Sequence, residues 1–511
     1  MGLLIENCRL AGGVLGSAYI EDQIVTSTSD GPTQQVPTGT YRIDAGGSTL
    51  FPGFIDSHCH PFEYGRSKRH LDLRGVSNLT GLRMRLAARV QSAQPGEWIQ
   101  GRGWDQEALT EGRMPARSDI DDISGGNPVV LTRVCGHIAL LNGVALSKLS
   151  LGDRQGPEYD RDEARGLTGI VRERALDEVN FSIPEESPDM TFSDLLSFEL
   201  EATRNGLTAV HCIVSPENYA EELAALARCV SEVQRGLRYR IYVPPEAVSF
   251  VEEGRLRDRF AGNRAKINGV KIYADGSLGA RTAALREPYQ DEPGNSGILR
   301  YQDEELAGLV GKCDALGYQV IVHAIGDRAV EQAIDALEAA AGGGNPRRHR
   351  IEHASLVPRD LRGRLRKHGI RAAVQPGFII SDFWALSRLG AERVMDLYPL
   401  RSILEEGIVA SGGSDAPVES LNPLLGMWAA MTRGPIAPDQ KLGLRQAFDL
   451  YTTNAAQNGL DADPSPQEGS PANFTILDAE TEGMHPALLR NLKVAASISM
   501  GTVTYSFEGG S

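Results

Sequence analysis

The stretch FPGFIDSHCHPFEYG, residues 51–65, sets His58 and His60 one residue apart at the end of an apolar run. Successive strand residues face opposite sides, so positions i and i+2 face together. Two imidazoles placed this way can share one cation, although a lone HxH also suits two hydrogen-bonded histidines at a strand end. Four further residues change the balance: Lys271 in NGVKIYADG, His323 in YQVIVHAIGD, His353 in RIEHASLV and Asp415 in GGSDAPVES. Imidazole and carboxylate are the donors of zinc and related sites. Singly, His323 reads equally as a helix cap and Asp415 as an N-cap; together they read as a metal constellation. Lys271 has two readings. A buried lysine tends to lose its charge, and an ion pair with Asp275 is the plain way to keep it. The alternative is a neutral amine that has added carbon dioxide, giving an anionic two-oxygen ligand able to bridge two cations.

Such residues act together only if the fold brings them to one place. From about residue 190 a unit recurs: an amphipathic helix, a glycine, a short apolar strand, a polar residue. Gly206, Gly317, Gly369 and Gly407 stand where a helix C-cap takes a left-handed residue. Eight strand candidates follow: LFPGFIDSH, LTAVHCI, RYRIYVP, GVKIYAD, YQVIVHA, HRIEHAS, RAAVQP and IVASGGSD. They are short and scarcely alternate, as buried parallel strands are. Eight strands alternating with helices predict an α/β fold, a (β/α)8 TIM barrel with its site at the C-terminal strand ends. A doubly wound open sheet is the competing topology, but it would not make the strand ends converge. Residues 1–52 and 461–511 read as short strands and predict a small β-sandwich built from both termini. The barrel is expected over 53–460, with an insertion of about 62–190 after its first strand, too long for a plain crossover.

The bulk properties narrow the classes. The chain has 511 residues, with 52 Lys+Arg against 67 Asp+Glu, a net charge of −15. Nucleic acid and anionic membranes would repel it at long range. No apolar run approaches the roughly 18 residues of a membrane span, and the N-terminus lacks a signal-peptide pattern. Six scattered cysteines without a CxxC pair read as reduced thiols. A cytoplasmic location is therefore expected.

The segments PGFIDSHCH, VKIYADGSLGARTA, VHAIGDRAV, RIEHASLV and GGSDAPVESLNPL resemble the amidohydrolase superfamily. With GRGWDQE and LTRVCGHIALLNGVAL in the insertion, the resemblance narrows to the branch (amidohydrolase family 3) that includes N-substituted formamide deformylases. It covers about residues 1–500. It implies a metal-bearing barrel joined to the β-sandwich, with His58 and His60 on the more buried metal and Lys271 as the bridging carbamate, an N6-carboxylysine. His323 and His353 would hold the second metal, and Asp415 would touch the first metal and the attacking water. No motif position is missing. Cys59, the middle residue of HxH, is expected to point away from the site.

The implied cofactor is divalent metal, two zinc ions, and the implied chemistry is hydrolysis of a carbon–nitrogen bond of an amide. Asp415 would move a proton from water to the leaving nitrogen, because an amine leaves poorly unless protonated. A metal-dependent deaminase, a carbamate or cyclic amide hydrolase, and a non-catalytic regulatory protein retaining the barrel are the other readings. A bridging Lys271 argues against a one-metal deaminase, and a complete ligand set argues against a remnant. Trp104, His137 and Arg281 are candidate substrate contacts; they read equally as a packing aromatic, a core histidine and a surface arginine. The expected partner is a small-molecule amide, with a homodimer left open.

Overall fold

The computed structural model describes residues 2–507 except 11, 12, 32, 107, 134–137, 153, 157, 163–165, 173, 174, 177, 180–182, 184–186, 263, 342, 343, 435, 463, 480 and 482. His137 and Cys135 lie outside the described residues. The chain divides into two units: Met1–Glu63 with Thr191–Ser511, and Tyr64–Met190.

At the centre of the larger unit is an eight-stranded parallel sheet, nearly closed into a barrel. Its strands are β1 (Phe54–Cys59), β2 (Leu207–Ile213), β3 (Arg238–Val243), β4 (Ala265–Tyr273), β5 (Gln319–Ala324), β6 (Arg350–His353), β7 (Arg371–Val374) and β8 (Ala410–Gly412). All eight sequence candidates are present, in sequential spatial order. The strands are buried along almost their whole length, which explains why their sequences do not alternate. Beyond the strand ends, Asp415 donates its backbone N–H to His58 O at 2.7 Å and His60 to Ala416 O at 2.9 Å, so the last strand meets the first.

The helices bury one face each. In Asp327–Ala341 the buried apolar residues Ala329, Val330, Ala333, Ile334 and Leu337 recur at helical spacing. The helix Arg359–His368 ends at Gly369, which takes φ 63° and receives the chain into β7. A side chain there would strain the left-handed backbone.

Two four-stranded sheets complete this unit. One runs in the order Ile24–Asp30, Leu15–Glu21, Leu3–Arg9, Tyr41–Asp44; the other in the order Thr502–Ser506, Val494–Ser499, Phe474–Leu477, Leu50–Pro52. Leu3, Ile5, Ile20 and Val25 from the first share a core with Leu50, Phe474, Ile476 and Ile498 from the second. The run LFPGFIDSH, expected as one strand, is two: Leu50–Pro52 pairs with Phe474–Leu477, and the barrel strand begins after Gly53.

The smaller unit is built on a six-stranded sheet in the order Tyr159–Asp162, Gly166–Arg172, Ile138–Leu141, Val129–Arg133, Ile99–Trp104, Leu71–Asp72. The helix Leu79–Ser92 packs Leu79, Leu82 and Leu86 into the same core as Ile99, Trp104 and Leu131. Trp104 is fully buried there, and its indole N–H donates to Leu131 O at 2.6 Å.

Candidate active site

Strand ends set the height of the polar residues. The β4–β5 register places Lys271 beside Ile321 and Tyr273 beside His323; the β5–β6 register places His323 beside Glu352 and Ala324 beside His353. His58 is the penultimate residue of β1, His60 lies just past it, and Asp415 lies three residues beyond β8.

These residues converge. One donor atom from each of His58, His60 and Asp415 lies within 4.8 Å of the others. Asp415 Oδ1 is 3.1 Å from His60 Nε2 and 3.4 Å from His58 Nε2. The His353 ring centroid is 4.9 Å from that of His58 and 4.4 Å from that of His323. Lys271 Nζ sits 3.2 Å from His58 Nε2 and 4.6 Å from the centroid of Tyr273. The barrel thus brings all six residues to one end.

Three of the imidazoles are anchored by one nitrogen. His58 Nδ1 meets Glu352 Oε2. His353 Nδ1 is 2.7 Å from Gln375 Oε1. His323 Nε2 faces Gly276 O at 3.0 Å and Asp275 Oδ1 at 3.3 Å, which leaves its buried Nδ1 without a partner. A buried ring nitrogen left bare among histidines and a carboxylate fits a cation ligand, since buried polar atoms otherwise find partners.

The Asp275 carboxylate is taken by the backbone N–H groups of Ala284, Ile325 and Gly326 at 2.9–3.1 Å. Lys271 therefore does not pair with Asp275, and the plain reading of that lysine is corrected. Period-two alternation fails between them because β4 ends at Tyr273. Lys271 is instead a fully buried amine whose pKa burial lowers to about 8, with Glu352 and Asp415 opposing the shift.

Electrostatics separate the other groups. Burial alone would raise the Asp415 pKa, but the His60 hydrogen bond and the neighbouring imidazoles hold it far below the usual carboxylate range. Burial, aided by Lys271, lowers the His58 pKa to about 4 although Glu352 opposes the shift. Burial likewise disfavours charge on His60, yet the bond to Asp415 leaves its pKa raised. His353 is held well below normal by burial and by His323. Imidazoles of His58 and His353 kept neutral and a firmly ionised Asp415 are protonation states that suit a cation, and burial brings the Lys271 amine closer to losing its proton.

The supporting backbone is specialised. His353 (φ 69°), Ala354 (φ 42°) and Asp415 (φ 54°) all occupy the left-handed region, which non-glycine residues enter at a cost and where functional sites concentrate such strain. Buried Asp56, its pKa pushed up to about 6 by burial, accepts from the N–H groups of His58 and Ser414 at 3.0 Å each, tying β1 to the β8 loop. Gly413 permits this approach, because a Cβ there would lie 2.7 Å from His58 N.

Cys59 is buried, and its thiol faces His211 O at 3.8 Å on β2, so it turns away from the histidines. Arg281 pairs with Asp291 at 2.9 Å and Glu292 at 3.4 Å. Glu352 and Arg350 are the residues that sequence reasoning passed over. Alternation sends Glu352 to the face opposite His353, but the left-handed turn at His353 lets both neighbours reach His58. An ionisable pair at i and i+2 inside a buried strand, as in RIE, was the available signal.

Comparison with known proteins agrees with the barrel fold. A metal-dependent hydrolase from Pyrococcus furiosus superposes with a TM-score of 0.79 at 33% identity, covering 94% of this chain and 99% of that one. Protein LONG AFTER FAR-RED 3 of Arabidopsis thaliana is 32% identical over 87% of this chain and 80% of its own. N-substituted formamide deformylase of Arthrobacter pascens is 24% identical over 91% and 90%. The sequence profile of the amidohydrolase family matches residues 42–505, from the last strand of the first small sheet through every barrel strand, and the chain belongs to that family.

Proposed function

We propose that this metal-dependent hydrolase of the amidohydrolase superfamily cleaves the carbon–nitrogen bond of a non-peptide amide, of the N-substituted formamide or N-acyl amine type. The observation that carries the reading is the meeting of His58, His60 and Asp415 donors within 4.8 Å, with the His323–His353 pair and the Lys271 amine against them. His58, His60 and Asp415 would hold one divalent cation, zinc by donor type, and His323 and His353 a second, with Lys271 between as a carboxylated lysine. Bound there, the ions would supply Lewis acidity and a water acidic enough to ionise near neutral pH.

The chain's own groups do the rest. Asp415, ionised and 3.1 Å from His60 Nε2, accepts the proton of the attacking water. The new carbon–oxygen bond opens the carbonyl to a tetrahedral adduct. Asp415 then delivers the same proton to the substrate nitrogen, the carbon–nitrogen bond breaks, and an amine and a carboxylic acid (formic acid for a formamide) leave. Tyr273, 5.4 Å from His323, and Phe378, 6.2 Å from His353 and nearly parallel to it, stand beside the centre as apolar walls for the N-substituent.

The sulfur chemistry supports a cytoplasmic setting: Cys8, Cys59, Cys212, Cys229 and Cys313 are free and buried. Among the described residues no helix is long and apolar enough to cross a membrane. The test is to assay zinc-loaded protein against a panel of N-substituted formamides, N-acyl amines, carbamates and cyclic amides. Turnover confined to the first two groups is expected. Turnover of the last two alone, or none with metal bound, refutes the substrate assignment.

A further inference from the structure

Beneath the proposed centre lies a buried polar network of a kind seldom found inside a barrel, whose interior is ordinarily packed with branched apolar side chains. Arg350 and Glu352 are both fully buried on β6. Arg350 Nε donates to Glu352 Oε1 at 2.5 Å. The remaining guanidinium nitrogens reach Ser57 O at 3.1 Å, Asn458 O at 3.1 Å, the Tyr242 hydroxyl at 3.2 Å and His211 Nδ1 at 3.0 Å. Glu352 Oε2, the oxygen not given to Arg350, meets His58 Nδ1. Arg350 therefore holds His58 twice: through the carbonyl of Ser57, the preceding residue, and through the carboxylate on its ring.

We propose that Glu352, held by Arg350, is a positioning residue that fixes His58 as its Nδ1–H tautomer and thereby sets the cation affinity of the His58–His60–Asp415 donors. The inference rests on the metal reading given above. An ionised carboxylate only accepts, and a neutral imidazole carries one N–H. The proton must then lie on Nδ1, and the lone pair falls on Nε2, the nitrogen 3.4 Å from Asp415 Oδ1. The Arg350 guanidinium, 2.5 Å from Oε1, gives the Glu352 carboxylate a charged partner inside the barrel. A purely structural ion pair would give Arg350 both carboxylate oxygens. Here one is diverted to the ring.

The test pairs Glu352→Gln and Glu352→Asp with wild type. A glutamine can present its NH2 to Nδ1, which moves the ring proton to Nε2 and blocks the ligand nitrogen; an aspartate keeps the charge and only shortens the reach. Zinc affinity is read by competition with a chelator of known affinity, on protein checked for a cooperative unfolding transition. The expected result is a loss of 10- to 100-fold for the glutamine variant, with the aspartate variant in between. A folded glutamine variant that binds zinc within twofold of wild type overturns the inference while leaving the metal reading intact. Wild type that takes up no zinc overturns both. If the glutamine variant does not fold, long-range proton–nitrogen spectra of histidine-labelled, zinc-loaded wild type decide. His58, assigned from the signals lost in His58→Asn, should carry its proton on Nδ1; a proton on Nε2 overturns the inference.

Discussion

Replacing Asp415 with asparagine removes one charge from the site and changes almost nothing else. The side-chain volume is kept, and the amide oxygen can still lie near His60 and a cation. What disappears is the ability to accept a proton. In wild type the carboxylate is mostly buried, 3.1 Å from His60 Nε2 and 3.4 Å from His58 Nε2. In the metal-free protein a protonated His60, whose pKa Asp415 raises, would attract the carboxylate 3.1 Å away by about 5 kcal/mol at an effective dielectric near 20. That is ample to keep the carboxylate ionised and able to return the proton only to a stronger base, the leaving nitrogen. Loss of a positioned general base costs roughly 10²–10⁴ in rate, or about 3–5 kcal/mol of transition-state stabilisation. Asp415→Asn should therefore retain zinc, measured by elemental analysis, while kcat falls by that factor with KM little changed. The His60 pKa, raised by Asp415 in the metal-free protein, should fall in the variant, as histidine NMR would read. A variant with near-normal kcat would show that another group takes the proton, and the assignment of Asp415 as base would be wrong.

Lys271→Ala should lose the second metal and nearly all activity, and short carboxylic acids should restore part of both by supplying the missing oxygens. Lys271→Arg should resist rescue, because guanidinium stays charged and fills the space; equal rescue of both would refute the bridging role. Metal loading of the free enzyme should also depend on pH. The amine is reactive only when neutral and its pKa lies near 8, so at constant dissolved carbon dioxide the loading rate should rise about tenfold per pH unit below that value and level off above it. A flat profile in stopped-flow loading would exclude carbamate formation as part of assembly. Finally, Arg350→Met should leave buried Glu352 as an unpaired charge and destabilise the metal-free protein by roughly 3–5 kcal/mol; an unchanged denaturation midpoint would contradict the packing described for β6.

The barrel was legible because its strands are buried on both faces and flanked by amphipathic helices, so short apolar runs such as LTAVHCI and YQVIVHA could be read without alternation. The convergence of the candidate residues was legible for a related reason: polar residues at the ends of such runs have few structural uses, and His58, His60, His323, His353 and Asp415 all stand there. Reading failed where the backbone leaves the strand. Alternation extended past Tyr273 would put Asp275 on the face of Lys271, but there the chain has already turned toward Ala284, Ile325 and Gly326. Glu352 was passed over because positive φ at His353 overrides the two-residue period. The break at Gly53 was hidden because Leu50–Pro52 and Phe54–Cys59 are equally apolar yet pair with different sheets. Each miss is a local conformation imposed by tertiary partners distant in sequence, which a single chain's pattern does not carry.

The most direct test is diffraction from crystals of the zinc-loaded enzyme, with data collected on both sides of the zinc absorption edge. Two anomalous peaks are predicted, one among His58, His60 and Asp415 and one beside His323 and His353, joined by density that extends beyond Lys271 Nζ as a carbamate. No anomalous peak among these residues would contradict the account, and two peaks beside an unmodified Lys271 amine in active enzyme would contradict the bridge.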